Sequence, residues 1–246
     1  MSVAILSDVH GNAAALEAVL KDIAAVRDCD TIWNLGDTVG YGPEPGRCLE
    51  LLAAVGPRLT LVGNHDLACI GRLDISQFNV IAQRATEWTA GRLDDAQRTL
   101  LGSYPQTAIS GDVTLAHGSP RSPIWEYVIS AEVARENMTA FLTQLCFVGH
   151  THVAAVASYL GNSSRVRFRR VGDGAVIDVA DERAIINPGS VGQPRDGDSR
   201  AAWMLFDIGR ATVEMRRTEY PIEVTQRAIA EAGLPEALGV RLSSGR

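Results

Sequence analysis

Residues 3–10 read Val3-Ala4-Ile5-Leu6-Ser7-Asp8-Val9-His10, four apolar residues running straight into an acid and an imidazole. A short apolar run that ends on polar residues is the pattern of a buried strand. Asn12 follows as a helix cap, and Ala13, Leu16, Val19, Leu20 and Ile23 recur behind it at helical spacing. The rhythm then repeats. Residues 31–35 form a second expected strand, which stops at Gly36-Asp37. Pro45 opens a helix carrying Leu49, Leu51, Leu52 and Val55. Residues 58–62 make a third strand, ending at Gly63-Asn64-His65-Asp66. Strand, helix, strand, helix, strand predicts a parallel βαβαβ core.

Residues 67–106 read as mostly helical, with helices near 78–90 and 94–102. Phe78, Trp88 and Leu93 are expected to form the core of that layer. Strands at 107–110 and 113–116 follow, the second ending at His117. A helix over 131–142 precedes a strand at 146–148 that ends at Gly149-His150. From there to residue 216 the chain is strand-rich, with turn signals at Gly161-Asn162, Gly172-Asp173-Gly174 and Asp207-Ile208-Gly209. A short helix at 222–232 and a polar tail complete the expectation. No tandem repeat or low-complexity linker interrupts the chain. The expectation is therefore one domain over residues 1–246, with a helical, cap-like insertion at 67–106.

The bulk composition is that of an ordinary globular chain: 246 residues, 46% hydrophobic and 21% charged, long enough for a sizeable core. Its net charge of −6 lacks the basic footprint of a general nucleic-acid binder. A mononucleotide-sized substrate stays open, because that depends on the site. Cys29, Cys48, Cys69 and Cys146 are too scattered for a zinc knuckle or redox pair and read as reduced thiols of a cytoplasmic protein. There is no basic region leading into a long apolar stretch, so no signal peptide is expected. No apolar run approaches the ~18 residues of a membrane span, so no membrane association is expected.

The polar clusters sit just after the C-terminal ends of apolar strands, where open α/β sheets bind ligands. In Asp8-Val9-His10, residues i and i+2 of an extended segment point to the same side, so a carboxylate and an imidazole face one cleft. Taken alone this reads first as a turn aspartate beside an incidental histidine. His150-Thr151-His152 repeats the geometry with two imidazoles, a stronger metal signal, and Gly149 leaves room for close backbone approach. Asp37 alone is equally a helix cap or a turn residue, and Asn64-His65 alone is equally a turn.

Taken together, Asp8-x-His10, Gly36-Asp37, Gly63-Asn64-His65-Asp66, His117-Gly118 and Gly149-His150-Thr151-His152 are five blocks in a fixed order, each at an expected strand end. This order resembles the calcineurin-like metallophosphoesterase superfamily. Asn187-Pro188-Gly189-Ser190-Val191-Gly192 looks like a further block of its small bacterial and archaeal, phosphodiesterase-like members. The resemblance implies a four-layer αββα sandwich, with two mixed β-sheets and flanking helices. It also implies two divalent metal ions. Asp8, His10, Asp37 and His152 would hold the first; Asp37, Asn64, His117 and His150 would hold the second, with Asp37 as the bridge. With Asp8 and Asp37 the only anions, two dications leave the shell at about +2, which attracts phosphate despite an acidic surface. Mixed nitrogen and oxygen ligands suit Mn, Fe, Zn, Co or Ni rather than Ca.

By the same resemblance His65 is the histidine that binds no metal and serves the leaving oxygen as acid or charge stabiliser. Here the chain departs from the serine/threonine protein phosphatases, whose block continues Gly-Asp-x-Val-Asp-Arg-Gly. This chain reads Gly36-Asp37-Thr38-Val39-Gly40-Tyr41-Gly42. Gly40 stands for the aspartate that orients the histidine, and Tyr41 for the phosphate-gripping arginine. Asp66 is then the candidate partner of His65. Arg121 and Arg195 are candidate phosphate contacts, or else ordinary surface arginines. Tyr41, Trp125 and Tyr127 either stack on a base or pack. Arg165, Arg167 and Arg169 alternate along the solvated face of an edge strand.

The implied function is a dinuclear phosphoesterase. It would hydrolyse a small phosphodiester or phosphomonoester, nucleotide-like substrates included, by in-line attack of a metal-bridging hydroxide. The alternatives are a protein or dinucleoside-polyphosphate phosphatase, which Gly40 and Tyr41 disfavour, and a non-catalytic binding scaffold on the same fold.

Overall fold

Alternation along the first strand sorts its side chains between two layers. Val3 and Ile5 of β1 (Ser2–Leu6) enter the core between two sheets, whereas Ala4 and Leu6 face helices α1 (Ala13–Ala25) and, past β2 (Cys29–Asn34), α2 (Pro45–Val55). The computed structural model describes residues 1–160 and 163–246, so the expected turn at Gly161-Asn162 lies outside the described residues. The remaining strands are β3 (Leu59–Thr60), β4 (Thr107–Ser110), β5 (Val113–Ala116), β6 (Leu145–Phe147), β7 (Ala155–Tyr159), β8 (Val166–Arg170), β9 (Val176–Asp178), β10 (Ala184–Asn187), β11 (Ala201–Asp207) and β12 (Thr212–Thr218). The further helices are α3 (Asn64–Cys69), α4 (Val80–Ala90), α5 (Asp95–Ser103), α6 (Ala131–Asn137), α7 (Ile222–Glu231) and α8 (Glu236–Ser244).

Two six-stranded mixed sheets result, in the orders β3-β2-β1-β11-β12-β9 and β4-β5-β6-β10-β7-β8. β1, β2 and β3 run parallel, as the βαβαβ rhythm predicts, and so do β5, β6 and β10. Between the sheets Phe147 packs its ring 6.4 Å from Trp33 and 5.3 Å, edge-on, from Phe206. Helices α1 and α2 cover the outer face of the first sheet. Ala134 of α6, with Met138 and Phe141, covers Cys146, Val148 and Ile185 of the second. The architecture is the αββα sandwich expected above. Among the described residues, no helix is long and apolar enough to cross a membrane.

Three expectations need correction. The third strand is two residues long: Leu61 still donates to the Asn34 carbonyl at 2.9 Å, but Val62 turns away and donates to the Pro105 carbonyl at 3.0 Å. The helix expected over 131–142 stops at Asn137: Met138 and Phe141 carry the apolar signal onward, but from a turn. The polar tail is instead helix α8. Its Leu238 and Leu242, one turn apart, meet Ile229 of α7, and this hairpin packs on Phe78, Ala82 and Ala85 of the segment 67–106 and on Tyr41. Trp88 donates Nε1 to the Ala232 carbonyl at 3.1 Å, tying that segment to the hairpin. Strand β8 lies at a sheet edge with Arg167 and Arg169 exposed, as read from the alternation.

Candidate metal centre and active site

The strands deliver the polar blocks to one place. Asp8 and His10 follow β1, Asp37 follows β2, Asn64 follows β3, His117 follows β5, and His150 and His152 follow β6; all seven are buried. The backbone there is tightly bent. Asp8, His10, Asp37, Tyr41, His150 and His152 have φ between 50° and 66°, six of the eight described non-glycine residues with positive φ. Asp and His tolerate this region better than most residues, yet each such residue is a strained one that its surroundings must hold. Backbone hydrogen bonds between blocks do so: Asp8 to the Gly36 carbonyl at 3.0 Å, His10 to Asp37 at 2.9 Å, and Gly149 to His117 at 2.8 Å. Two glycines make the approach possible. A Cβ at Gly63 would overlap Asp37 Oδ1, and one at Gly149 would overlap Ser7 Oγ.

The side chains form two adjoining groups, Asp8–His10–His152 and Asp37–His117–His150. In the first, His10 and His152 bring their Nε2 atoms within 3.1 Å of each other, and Asp8 Oδ1 lies 3.3 Å from His152 Nε2. In the second, Asp37 Oδ2 is 3.2 Å from His117 Nε2, whose other neighbour is Asn64 Oδ1 at 3.1 Å. Asp37 Oδ2 is also 3.7 Å from His10 Nε2, so this carboxylate stands between the groups. Its Oδ1 accepts the His65 backbone N–H at 2.8 Å, which fixes the head.

The donor chemistry fits metal ions. His10, His117 and His152 each direct Nδ1 at a backbone carbonyl, of Val39, Leu35 and Gln193 respectively. A ring nitrogen bonded to a carbonyl must carry the proton, so in the neutral ring Nε2 keeps its lone pair. Two such lone pairs facing each other at 3.1 Å repel unless a cation lies between them. Asp8 Oδ1, Asp37 Oδ2 and His150 Nε2 are likewise buried without a hydrogen-bond partner among the described residues, which a native fold rarely leaves unexplained. Burial pushes His10 and His152 below the ordinary imidazole range and His150 down to about 3, keeping them neutral. Burial alone would raise both carboxyls, but His152 beside Asp8 and His117 beside Asp37 hold them below the usual carboxylate range. His117 is the exception: burial opposes its charge, yet Asp37 holds its proton up to about 9.

His65 lies beside the centre, its ring 5.0 Å from that of His10, walled by Tyr41 at 4.3 Å and Phe78 at 4.7 Å. Asp66 is not its partner. That carboxylate accepts the N–H groups of Val39 and Gly63, both at 3.0 Å, and so ties the blocks together. His65 Nδ1 has no hydrogen-bond partner among the described residues, and Gly40 faces it: a Cβ there would come within 2.9 Å of Nδ1. The residue that departs from the protein-phosphatase pattern thus abuts the nitrogen that lacks an orienting acid. Burial lowers the ring's pKa to about 4.

The two candidate arginines separate. Arg121 is turned to Glu126 and Glu136 and forms an ion pair with each, the arrangement of an ordinary surface arginine. Arg195 is at the centre instead. Its backbone N–H bonds the His152 carbonyl at 3.1 Å, and its guanidinium lies 5.7 Å from the centroid of Tyr41, whose ring is 4.8 Å from that of His10. The loop after β10 thus places a guanidinium beside Tyr41. Trp125 packs edge-on to Phe78, and Tyr127 stacks on His150 with centroids 4.0 Å apart. Sequence reading passed over Ser7, whose Oγ donates to Asp8 Oδ2 at 2.6 Å, although its place beside Asp8 was a signal. It also passed over Gln193, whose backbone carbonyl accepts from His152 Nδ1 at 2.6 Å, and Arg241 of α8, whose Nη1 donates to Gln193 Oε1 at 3.2 Å. The Asn187 block braces the centre: Asn187 donates to the Gly149 carbonyl at 2.6 Å and Ser190 to that of Asp8 at 2.8 Å.

With this geometry in place, the family profile of the calcineurin-like phosphoesterase superfamily domain matches residues 1–210, and the chain belongs to that family. The crystal structure of a metallophosphoesterase from Sphaerobacter thermophilus is similar at 48% identity and a TM-score of 0.90, covering 100% of this chain and 99% of that one. An uncharacterised protein of Methanocaldococcus jannaschii is 37% identical over 249 residues, 99% of this chain and 98% of that protein. A symmetrical bis(5'-nucleosyl)-tetraphosphatase of Pectobacterium carotovorum is 28% identical over 139 residues, 55% of this chain and 49% of that enzyme. The chain is a phosphoric ester hydrolase of a metal-dependent family, with two His/Asp groups able to bind metals.

Proposed function

We propose that this hydrolase is dinuclear and cleaves a small phosphodiester or phosphomonoester, nucleotide-like esters included. The observation that carries the reading is the pair of facing Nε2 lone pairs and orphaned carboxylate oxygens in the two adjoining groups, with Asp37 between them. Two divalent cations there would act as Lewis acids and activate a water for in-line attack on phosphorus. Asp8, His10 and His152 would hold one and Asn64, His117 and His150 the other. Asp37, which stands between the two groups, would serve both. The donor set suits manganese, iron, zinc, cobalt or nickel. Tyr41 and Arg195 flank the phosphate, and His65, which binds no cation in this arrangement, assists the leaving oxygen. Four free cysteines, three of them buried, support a reducing, cytoplasmic setting.

The test is metal analysis with rates on bis(p-nitrophenyl) phosphate and p-nitrophenyl phosphate. Two metals per chain and measurable diester turnover are expected. Two bound metals with neither ester hydrolysed would turn the reading to the scaffold alternative, and strict monoester hydrolysis would remove the diester. A second reading, cleavage within a dinucleoside polyphosphate, is favoured by the tetraphosphatase relative and by a second arginine at the rim.

A further inference from the structure

Helix α8 lies beyond the residues matched by the family profile, yet it reaches the centre. Arg241, in its last turn, donates Nη1 to Gln193 Oε1 at 3.2 Å. Arg195 donates Nη2 to the same oxygen at 2.9 Å. One neutral amide oxygen therefore holds two guanidiniums side by side. The nearby acids are already engaged, Asp196 with Arg217 and Asp198 with Arg200. Among the described residues no Asp or Glu side chain pairs with Arg195 or Arg241, in contrast to Arg121. Arg195 Nε is buried without an acceptor among the described residues, and Arg241 Nε donates to the backbone oxygen of the last residue, Arg246, at 2.7 Å. Burial, and then the charge of Arg195, lower the pKa of Arg241, as expected of two like charges in contact. A guanidinium offers five donors, so this pair presents several N–H groups with no acceptor among the described residues. Gln193 fixes the pair relative to the metal ligands, because its carbonyl accepts from His152 Nδ1 at 2.6 Å.

We propose that Arg195 and Arg241, bridged by Gln193, form an anion subsite beside the metal centre that holds a second phosphate of the substrate, next to the one being cleaved. The substrate class is then a compound with two or more linked phosphates, such as a nucleoside or dinucleoside polyphosphate. The proposal rests on the phosphoesterase reading for the position of the scissile phosphate. The subsite needs nothing from that chemistry, since it grips an anion by charge and by forked N–H donors.

The test uses methylenebisphosphonate and methylphosphonate, which resist hydrolysis. Each is titrated into manganese-loaded wild type, R241Q and R241K at one fixed metal concentration, so that chelation cancels between proteins. Wild type should prefer the bisphosphonate, and R241Q should lose about 10- to 100-fold of that preference, the span expected for a hydrogen bond to a charged group. R241K keeps the charge but not the fork and should fall between them. Hydrolysis of bis(p-nitrophenyl) phosphate and of p-nitrophenyl phosphate by wild type is measured in parallel. Arginine-dependent preference without ester hydrolysis would sink the phosphoesterase reading and leave the subsite standing. Equal affinity for the two phosphonates in wild type, or an unchanged preference in both variants, would overturn the subsite.

Discussion

His117 and Asp37 offer a sharp test, because stripping the metals should convert a metal ligand into half of a buried ion pair. In the folded chain Asp37, 3.2 Å away, holds the His117 proton from the ordinary 6.5 up to about 9. A raised histidine pKa stabilises the fold fully below 6.5, and that stability is lost as pH climbs toward 9. At about 1.4 kcal/mol per pH unit, the whole window carries on the order of 3 kcal/mol. The range from pH 7 to 8.5 belongs mostly to His117. His10, His65, His150 and His152, with lowered values, act below 6.5, while Asp66, which burial and then Asp37 push up to about 7, is half-titrated at pH 7 and adds roughly a few tenths of a kcal/mol of loss in the same direction. Chelator-treated protein should therefore lose about 2 kcal/mol over that range, read from urea midpoints at constant slope. Asp37→Asn removes the charge at nearly unchanged shape and should abolish most of that pH slope while lowering metal occupancy and activity together. Metal loading of wild type near pH 7.5 should release a proton from His117, measurable by calorimetry in buffers of different ionisation heat. A flat stability profile from pH 7 to 8.5, or the same slope in Asp37→Asn, would refute this pairing.

Other outcomes follow from the same geometry. His65→Ala should keep its metal and lose about 10²–10⁴-fold in kcat, more for an alkoxide than for a nitrophenolate leaving group; loss of metal equal to that of His150→Ala would make His65 a ligand. Gly63→Ala drives a Cβ into Asp37 Oδ1 and should cost about 1–3 kcal/mol and much of the metal, by thermal melting and metal analysis. Arg121→Gln should leave kcat/KM within about twofold, because Glu126 and Glu136 already occupy that guanidinium and exposed ion pairs contribute little; a tenfold loss would restore Arg121 as a substrate contact.

Much of the fold was legible because local pattern and tertiary packing agree. The unbroken apolar run of β1, buried on both faces, and the helical spacing behind Asn12 are each imposed by the core they pack against, and the strand and helix appeared there. The apolar pattern failed where a residue serves the core without lying in an element. Met138 and Phe141 are buried yet follow the end of α6. Helix α8 was missed for the opposite reason. Only Leu238 and Leu242 mark its inner face, and its helicity comes from docking on α7 and Phe78 more than from its own composition.

The sequence by itself determined a parallel βαβαβ core and which side chains gather, since every polar block terminates an apolar strand, and it reached the αββα class through its resemblance to the family. Tertiary structure alone decided what those side chains do to one another. Asp66 is spent on two backbone N–H groups rather than on His65, Arg121 is spent on two glutamates, and Arg195 meets an arginine far along the chain through Gln193. The reason is that a hydrogen bond or ion pair depends on angstrom-scale position. A sequence specifies that only through packing, and here residues 46 apart in the chain share a single amide oxygen in space, as Arg195 and Arg241 show.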